Sequence, residues 1–170
     1  MRVEQAGQKD ATGIMQTVSL CIQHMRSQGI YQWDEVYPDL QGVQEDARSG
    51  SLFVIRRDGL CVASVSLNDI QPDEYRTVAW RCAADRALVV HRLCVHPHWQ
   101  GHGLGKRMMA FAERFAIDHG FSCIRLDAYT GNPQALALYE GRGYQRVGQV
   151  SFPRRELPFD CFEKVASSSG

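Results

Sequence analysis

Hydrophobic positions change their spacing several times along the chain, and each change predicts an element. Ile14, Val18, Cys21, Ile22 and Met25 recur at helical spacing after Asp10, which predicts a first helix capped by Asp10 and ended at Gly29. The aromatic and acidic stretch Tyr31 to Pro38 follows and stops at proline, and a short helix is expected from Leu40 to Ser49, closed by Gly50. Leu52 to Arg56 and Leu60 to Asn68 read as strands, with Asp58-Gly59 as the hairpin turn between them. Gln71 to Arg86 is polar and carries no clear period, although Tyr75, Val78 and Trp80 imply partial burial.

Leu88 to Val95 is a strong strand, ended by Pro97. From Leu104 a helix presents Leu104, Met108, Phe111, Ala112 and Phe115 on one face and charged residues on the other, with Gly120 as its stop. Cys123 to Ala128 is the next strand. Asn132-Pro133 then opens a helix as N-cap and first helical residue, running through Leu136 and Tyr139 to about Glu140. Tyr144 to Val150 and Pro158 to Val165 are expected as closing strands. With no repeat or linker, the chain reads as one α/β domain over residues 1–166, of the α+β kind, with a disordered tail at 167–170.

Composition narrows the function by exclusion. The 170 residues are 44% hydrophobic and 22% charged, the balance of a folded globular chain. Nineteen basic and nineteen acidic residues leave no net charge, so the basic footprint of a nucleic-acid binder is missing. No stretch approaches the ~20 apolar residues of a membrane span, and no apolar signal core opens the chain. The six cysteines, at 21, 61, 82, 94, 123 and 161, form no Cys-x-x-Cys pair. His96 and His98 have no cysteine at ligand spacing, so no metal site is expected. A reduced, cytoplasmic protein is the expectation.

Gln100-Gly101-His102-Gly103-Leu104-Gly105 carries the first chemical signal. It lies between a buried strand and a helix amino terminus, where main-chain N–H groups lack partners and the helix dipole favours anions. Glycine lets the backbone approach phosphate oxygens and adopt positive φ without strain. Lys106 and Arg107 could add charge. A dinucleotide fingerprint would need glycine at 106, where Lys106 stands, although Asp127 sits near the place of the ribose-binding acid. A nucleoside triphosphate loop would need glycine at 100 and Ser or Thr at 107, against Gln100 and Arg107. A glycine-rich turn without a ligand is the remaining alternative.

Val95-His96-Pro97-His98-Trp99-Gln100-Gly101-His102-Gly103-Leu104-Gly105 resembles the signature of the GCN5-related N-acetyltransferases, the GNAT family. Downstream, Ile124 to Pro133, then Ala137-Leu138-Tyr139-Glu140 and Gly143-Tyr144, are similar to that family's second cofactor motif. Gln32-Trp33-Asp34 and Pro158 to Lys164 resemble a bacterial branch of it. Gly141 departs from the pattern and weakens its helix by ~1 kcal/mol. The resemblance implies a mixed, mostly antiparallel central sheet flanked by helices, and acetyl-CoA as co-substrate. It implies that main-chain groups of Leu93, Cys94 and Val95 align the pantetheine arm. Gln100, Gly101, His102, Gly103, Leu104, Gly105 and Lys106 would take the pyrophosphate, and Asn132 would bond the pantetheine arm. Tyr139 would protonate the departing sulfur; without the family motif, its place on the Leu136 face would make it a core aromatic.

The base is less marked. Free imidazole titrates near neutrality, and His91 lies on the strand, but alternation can turn it into the core. Glu74, Asp73 and Glu35 are carboxylate candidates. Burial beside Val95 argues against a reactive Cys94 and for direct transfer in a ternary complex. The acceptor is expected to be a small-molecule or peptide amine, with no nucleic acid, no membrane and room for a homodimer. Trp33 and Tyr37 could contact a cationic amine or simply cover the core. A non-catalytic acyl-CoA-binding sensor is the competing function, and a nicotinamide oxidoreductase, disfavoured by Lys106, is the third.

Overall fold

The structure, a computed structural model, describes residues 1–167; the tail expected at 167–170 lies outside them except for Ser167. In chain order the regular elements are β1 (Val3–Gln5), α1 (Ala11–Ser27), α2 (Leu40–Arg48), β2 (Leu52–Arg57), β3 (Leu60–Asn68), β4 (Ala87–Val95), α3 (Leu104–Asp118), β5 (Cys123–Tyr129), α4 (Pro133–Gly141), β6 (Gln145–Val150) and β7 (Phe159–Val165). The strands follow the order β1-β2-β3-β4-β5-β7-β6 in a seven-stranded sheet. The β4–β5 pair is parallel, while β1–β2, β2–β3, β5–β7 and β6–β7 run antiparallel. This is the mixed, mostly antiparallel sheet with flanking helices that the residue pattern and the resemblance imply.

The chain groups into two compact units, Met1–Leu67 with His91–Phe111, and Asn68–Val90 with the chain from Ala112 onward. In the first unit α1 buries Ile14, Val18 and Cys21 against Val43 of α2, Leu52 and Val54 of β2, and Trp33. Trp33 is therefore a core residue, whereas Tyr37 stays exposed. The Asp58-Gly59 turn has φ of 50° and 79°, the double positive φ that a tight hairpin with right-handed strand twist requires. Asp10 stands at the N-cap of α1 but does not cap it. Its carboxylate accepts from Gly7 N at 2.8 Å and Arg56 Nη2 at 2.7 Å instead. Asp39 does cap α2, accepting from Gly42 N at 2.9 Å. Strand β1, three residues pairing Val3 with Ile55, is an addition to the expected elements.

In the second unit β5 is buried over nearly its whole length, and its register with β7 pairs Cys123 with Val165 through to Tyr129 with Phe159. The segment between β3 and β4 forms two 3-10 turns, Asp73–Thr77 and Ala84–Arg86. Polar contacts from β5 and β7 hold it. Arg125 Nη1 donates to Gln71 Oε1 at 2.5 Å and Nη2 to the Cys82 carbonyl, while Glu163 accepts from Arg81 N at 3.0 Å and Cys82 N at 3.3 Å. Cys82 and Cys123 are joined by a disulfide, their Cα atoms 6.4 Å apart. The fully reduced set of six cysteines expected from the sequence is thus corrected. No local motif pairs these two, which are separated by 41 positions, and only the folding of the segment onto β5 brings them within bonding distance. Cys21, Cys61, Cys94 and Cys161 are free and buried. Among the described residues no helix is long and apolar enough to cross a membrane, and no group of three or more His, Cys, Asp or Glu is arranged to hold a metal ion.

Candidate active site

The first unit carries the turn that leads from β4 into α3. Strand β4 is irregular here: Arg92 has φ of 53°, and His91, Arg92 and Leu93 are half-buried in succession where strict alternation would bury every second one. Positive φ at a non-glycine residue costs free energy and needs support from its surroundings. The Arg92 guanidinium supplies it, pairing with Asp46 of α2 and lying 5.8 Å from the Tyr37 ring centroid. His91 thus lies half-buried on a kinked strand. Cys94 is buried, and its thiol is held well above the usual range by the hydrogen bond with Cys21, 3.1 Å away, and by desolvation. Such a thiol is a poor nucleophile.

Past β4 the chain makes a 3-10 turn at Pro97–Trp99 and reaches Gly101 and Gly103, with φ of 79° and 80°. A Cβ built at either glycine meets nothing within 4 Å. Backbone conformation, not crowding, therefore calls for glycine here, and the space beside both is open. The first helical bond of α3 is Arg107 N to Gly103 O at 3.0 Å, so the preceding amides stand outside the helical ladder. Side chains here serve the turn itself. Gln100 Nε2 donates to the Val95 carbonyl at 3.0 Å, and the Cys21 thiol reaches the same oxygen at 3.1 Å. Arg107 Nη1 donates to the Met1 carbonyl at 2.8 Å, while Lys106 is exposed. The turn offers a phosphate its main-chain amides and Lys106.

The second unit carries the titratable groups. Asp127 is partly buried on β5, and Tyr75 Oη donates to its Oδ2 at 2.6 Å. Burial pushes the Asp127 carboxyl up to about 6, the nearby Glu74 charge adds to this, and the Tyr75 bond opposes it. Tyr75 is itself raised well above the usual phenol range, by burial first and then by Asp127. Tyr139 of α4 is 7% exposed, with its ring 6.0 Å from Phe162 and 6.1 Å from Tyr144. Its hydroxyl also titrates above the ordinary range, because of burial and then the charge of Asp127. A small cavity of about 300 Å³ is lined by Glu74, Thr77, Gln149, Val150, Ser151 and Pro158.

Of the residues singled out in the sequence, Tyr139 and Glu74 both lie within electrostatic reach of Asp127. His91 and Leu93 to Lys106 belong to the other unit. Asn132 caps α4, its Oδ1 accepting from Ala135 N at 3.2 Å. The raised carboxyl of Asp127 and its hydrogen bond from Tyr75 are not among the sequence candidates. An acid inside an apolar strand is the visible signal for the first; nothing local marks the second.

The bend between β5 and α4 depends on Gly131, where an added Cβ would stand 2.6 Å from Tyr129 Cε2 and 3.1 Å from Leu157 Cδ1. Gly131→Ala is expected to lower stability by ~1–3 kcal/mol, read as a fall in the thermal midpoint. An unchanged midpoint would mean that the Tyr129 ring yields at no cost.

A glycine turn at a helix amino terminus suits an anion, and a raised carboxyl beside a buried phenol can hold a proton. The model of the Acetyltransferase (GNAT) family matches residues 18–144. The chain belongs to that family. As a GNAT-family N-acetyltransferase it is 25% identical over 142 residues to the uncharacterised N-acetyltransferase YesJ of Bacillus subtilis, covering 82% of this chain and 79% of that one. It is 22% identical over 145 residues to an S-alkylcysteine N-acetyltransferase of the same species, covering 81% and 74%. Among solved structures, a GNAT-family acetyltransferase of Streptococcus agalactiae superposes with a TM-score of 0.80 at 21% identity, over 96% of this chain and 94% of that one. The protein yncA of Salmonella typhimurium, solved with its cofactor acetyl-CoA, superposes with a TM-score of 0.75 at 15% identity, over 100% and 96%.

Proposed function

We propose that this GNAT-family enzyme moves the acetyl group of acetyl-CoA to a primary amine by direct transfer, with both substrates bound together. Acetyl-CoA supplies the activated thioester. The open, left-handed glycines at 101 and 103, the unladdered amides at the start of α3 and Lys106 suit its pyrophosphate. Main-chain groups of Leu93, Cys94 and Val95 align the pantetheine arm, short of the Val95 carbonyl, which already has two donors. Asn132 serves that arm from the cap of α4. The buried Cys94 thiol favours direct transfer over an acyl-cysteine route.

The single observation that carries the chemistry is Asp127, whose carboxyl burial has lifted to about 6. An amine with a pKa near ~10.4 arrives protonated and must lose a proton before it attacks. A carboxylate with raised proton affinity is a better acceptor than an ordinary one, and at neutral pH it is still ionised. Asp127 takes that proton, directly or through a water, and Tyr75 holds its carboxylate in place. Glu74 raises the proton affinity of Asp127 by its charge. Tyr139, kept neutral by burial and by Asp127, donates to the departing sulfur.

Calorimetric titration with acetyl-CoA, CoA and NAD tests the cofactor, and thiol release with amines, amino acids, S-alkylcysteines, polyamines and peptides tests the acceptor. Binding of acetyl-CoA with thiol release on an amine supports the proposal; absence of CoA binding overturns it. Gly103→Val forces a β-branched residue into positive φ, which costs ~1–3 kcal/mol or turns the amides away. Its affinity for acetyl-CoA should fall about tenfold or more. Wild-type affinity in that variant would count against the phosphate turn.

A further inference from the structure

We propose that Cys82 and Cys123 form a reversible dithiol/disulfide site, which takes a small dithiol or a dithiol protein as its reaction partner and sets the order of the segment between β3 and β4. The proposal stands on the second unit alone and does not depend on the acetyl-transfer reading.

Three attachments converge on Cys82. The disulfide ties its side chain to Cys123 at the start of β5, Arg125 donates to its carbonyl, and Glu163 accepts from its amide. The rest of the segment is held mainly by polar contacts: Gln71 accepts from Arg125, Arg81 N donates to Glu163 and Tyr75 Oη to Asp127, with Tyr75 its buried side chain and Trp80 Nε1 donating to the Tyr75 carbonyl at 2.9 Å, its ring 4.4 Å from the Arg125 guanidinium. A segment with few buried apolar groups opens locally at low free-energy cost once a tether is cut. The segment also walls a cavity of about 630 Å³ that includes Tyr75, Trp80, Cys82 and Arg125.

The two sulfurs differ in access. Cys123 is fully buried, whereas Cys82 is partly exposed, so Cys82 is the point of attack. A thiolate of the external dithiol attacks Cys82 Sγ, the bond to Cys123 breaks, and Cys123 leaves as a thiolate that takes up a proton. The second thiol of the reductant then displaces Cys82. Two electrons and two protons have passed to the cysteine pair, and the reductant ends as its own disulfide. Arg125 and Glu163 still grip the backbone of Cys82 afterwards. They keep it near Cys123, which lets a disulfide reagent restore the bond by the reverse exchange. The other close pair, Cys21 and Cys94, is buried on both sides and offers no entry. Because Tyr75 rides on the same segment and donates to Asp127, the state of the pair reaches that carboxyl.

Native-state hydrogen exchange read by mass spectrometry, on the full chain before and after dithiothreitol, tests the site. Amides of residues 69–86 are expected to exchange at least about tenfold faster after reduction, with β5 and β7 unchanged. Oxidised glutathione should restore slow exchange, and alkylation should label Cys82 and Cys123 only in the reduced state. Cys82→Ser should exchange fast with or without reductant. Equal exchange in both states, a redox response that persists in Cys82→Ser, or loss of protection across the whole unit on reduction would overturn the proposal. If Cys82→Ser does not fold, the oxidised and reduced wild-type chains decide alone.

Discussion

Asp127→Asn is expected to lower turnover by about 10²-fold or more and to remove the acid limb of the pH profile. The carboxyl of Asp127 is raised to about 6, and only its ionised form accepts a proton from the amine. Turnover of the wild type should therefore rise through pH values near 6 and level off above them, and the variant should lose that rise. The same shift guards the experiment against a trivial outcome. A carboxyl whose folded-state pKa is raised contributes stability at low pH that is lost as pH rises from the ordinary carboxylate range through about 6. At pH 8 the ionised group is thus a cost to the folded state, and the neutral amide does not carry it. The thermal midpoint of Asp127→Asn at pH 8 should match or exceed that of the wild type, so a loss of turnover reports chemistry and not unfolding. Full turnover with an unchanged profile would remove Asp127 from the mechanism. Tyr75→Phe, which keeps the ring and removes the 2.6 Å donor, should move the acid limb to higher pH, because the bond it deletes favours the carboxylate.

The parts of the fold that were legible in the sequence are those whose signals are local. The boundaries of β3 and α3, the Asp58-Gly59 hairpin and the Asn132-Pro133 start of α4 follow from period, glycine and capping within a few residues. The conformation of the glycine turn was legible for the same reason, since Gly101 and Gly103 announce left-handed backbone by themselves. The side-chain partners around it were not legible: Gln100 and Arg107 turn to Val95 and Met1 and not to the space beside the glycines. Such pairings depend on where the turn lands in three dimensions. The segment from 69 to 86 was illegible because its partners, Arg125, Glu163 and Cys123, lie far along the chain and its own residues carry no period. Tyr75 and Asp127 are 52 positions apart, and the raised carboxyl exists only once they meet. Strand β1 carries no visible period because three residues, one half-buried and two exposed, are too few to show alternation.

Tyr139→Phe should reduce turnover by about 10²-fold while leaving affinity for acetyl-CoA close to that of the wild type. The substitution keeps the ring that packs against Phe162 and Tyr144, so α4 and the Asn132 cap are undisturbed. What it deletes is a hydroxyl that burial and the Asp127 charge hold neutral at every working pH. That same shift limits what the hydroxyl can do. A thiolate leaving group has a pKa of about 8.5, below that of even an ordinary phenol, so complete transfer of the Tyr139 proton to sulfur is uphill. The larger part of its effect is then a hydrogen bond to charge developing on sulfur, which is strongest in a buried site. It follows that an acetyl donor with a better leaving group should lose less on the substitution. Comparing wild type and Tyr139→Phe with acetyl-CoA and with an acetyl ester of a more acidic thiol, under conditions where chemistry limits the rate, checks this. An equal loss with both donors, or none with either, would place Tyr139 in the packing of α4 and not in the reaction.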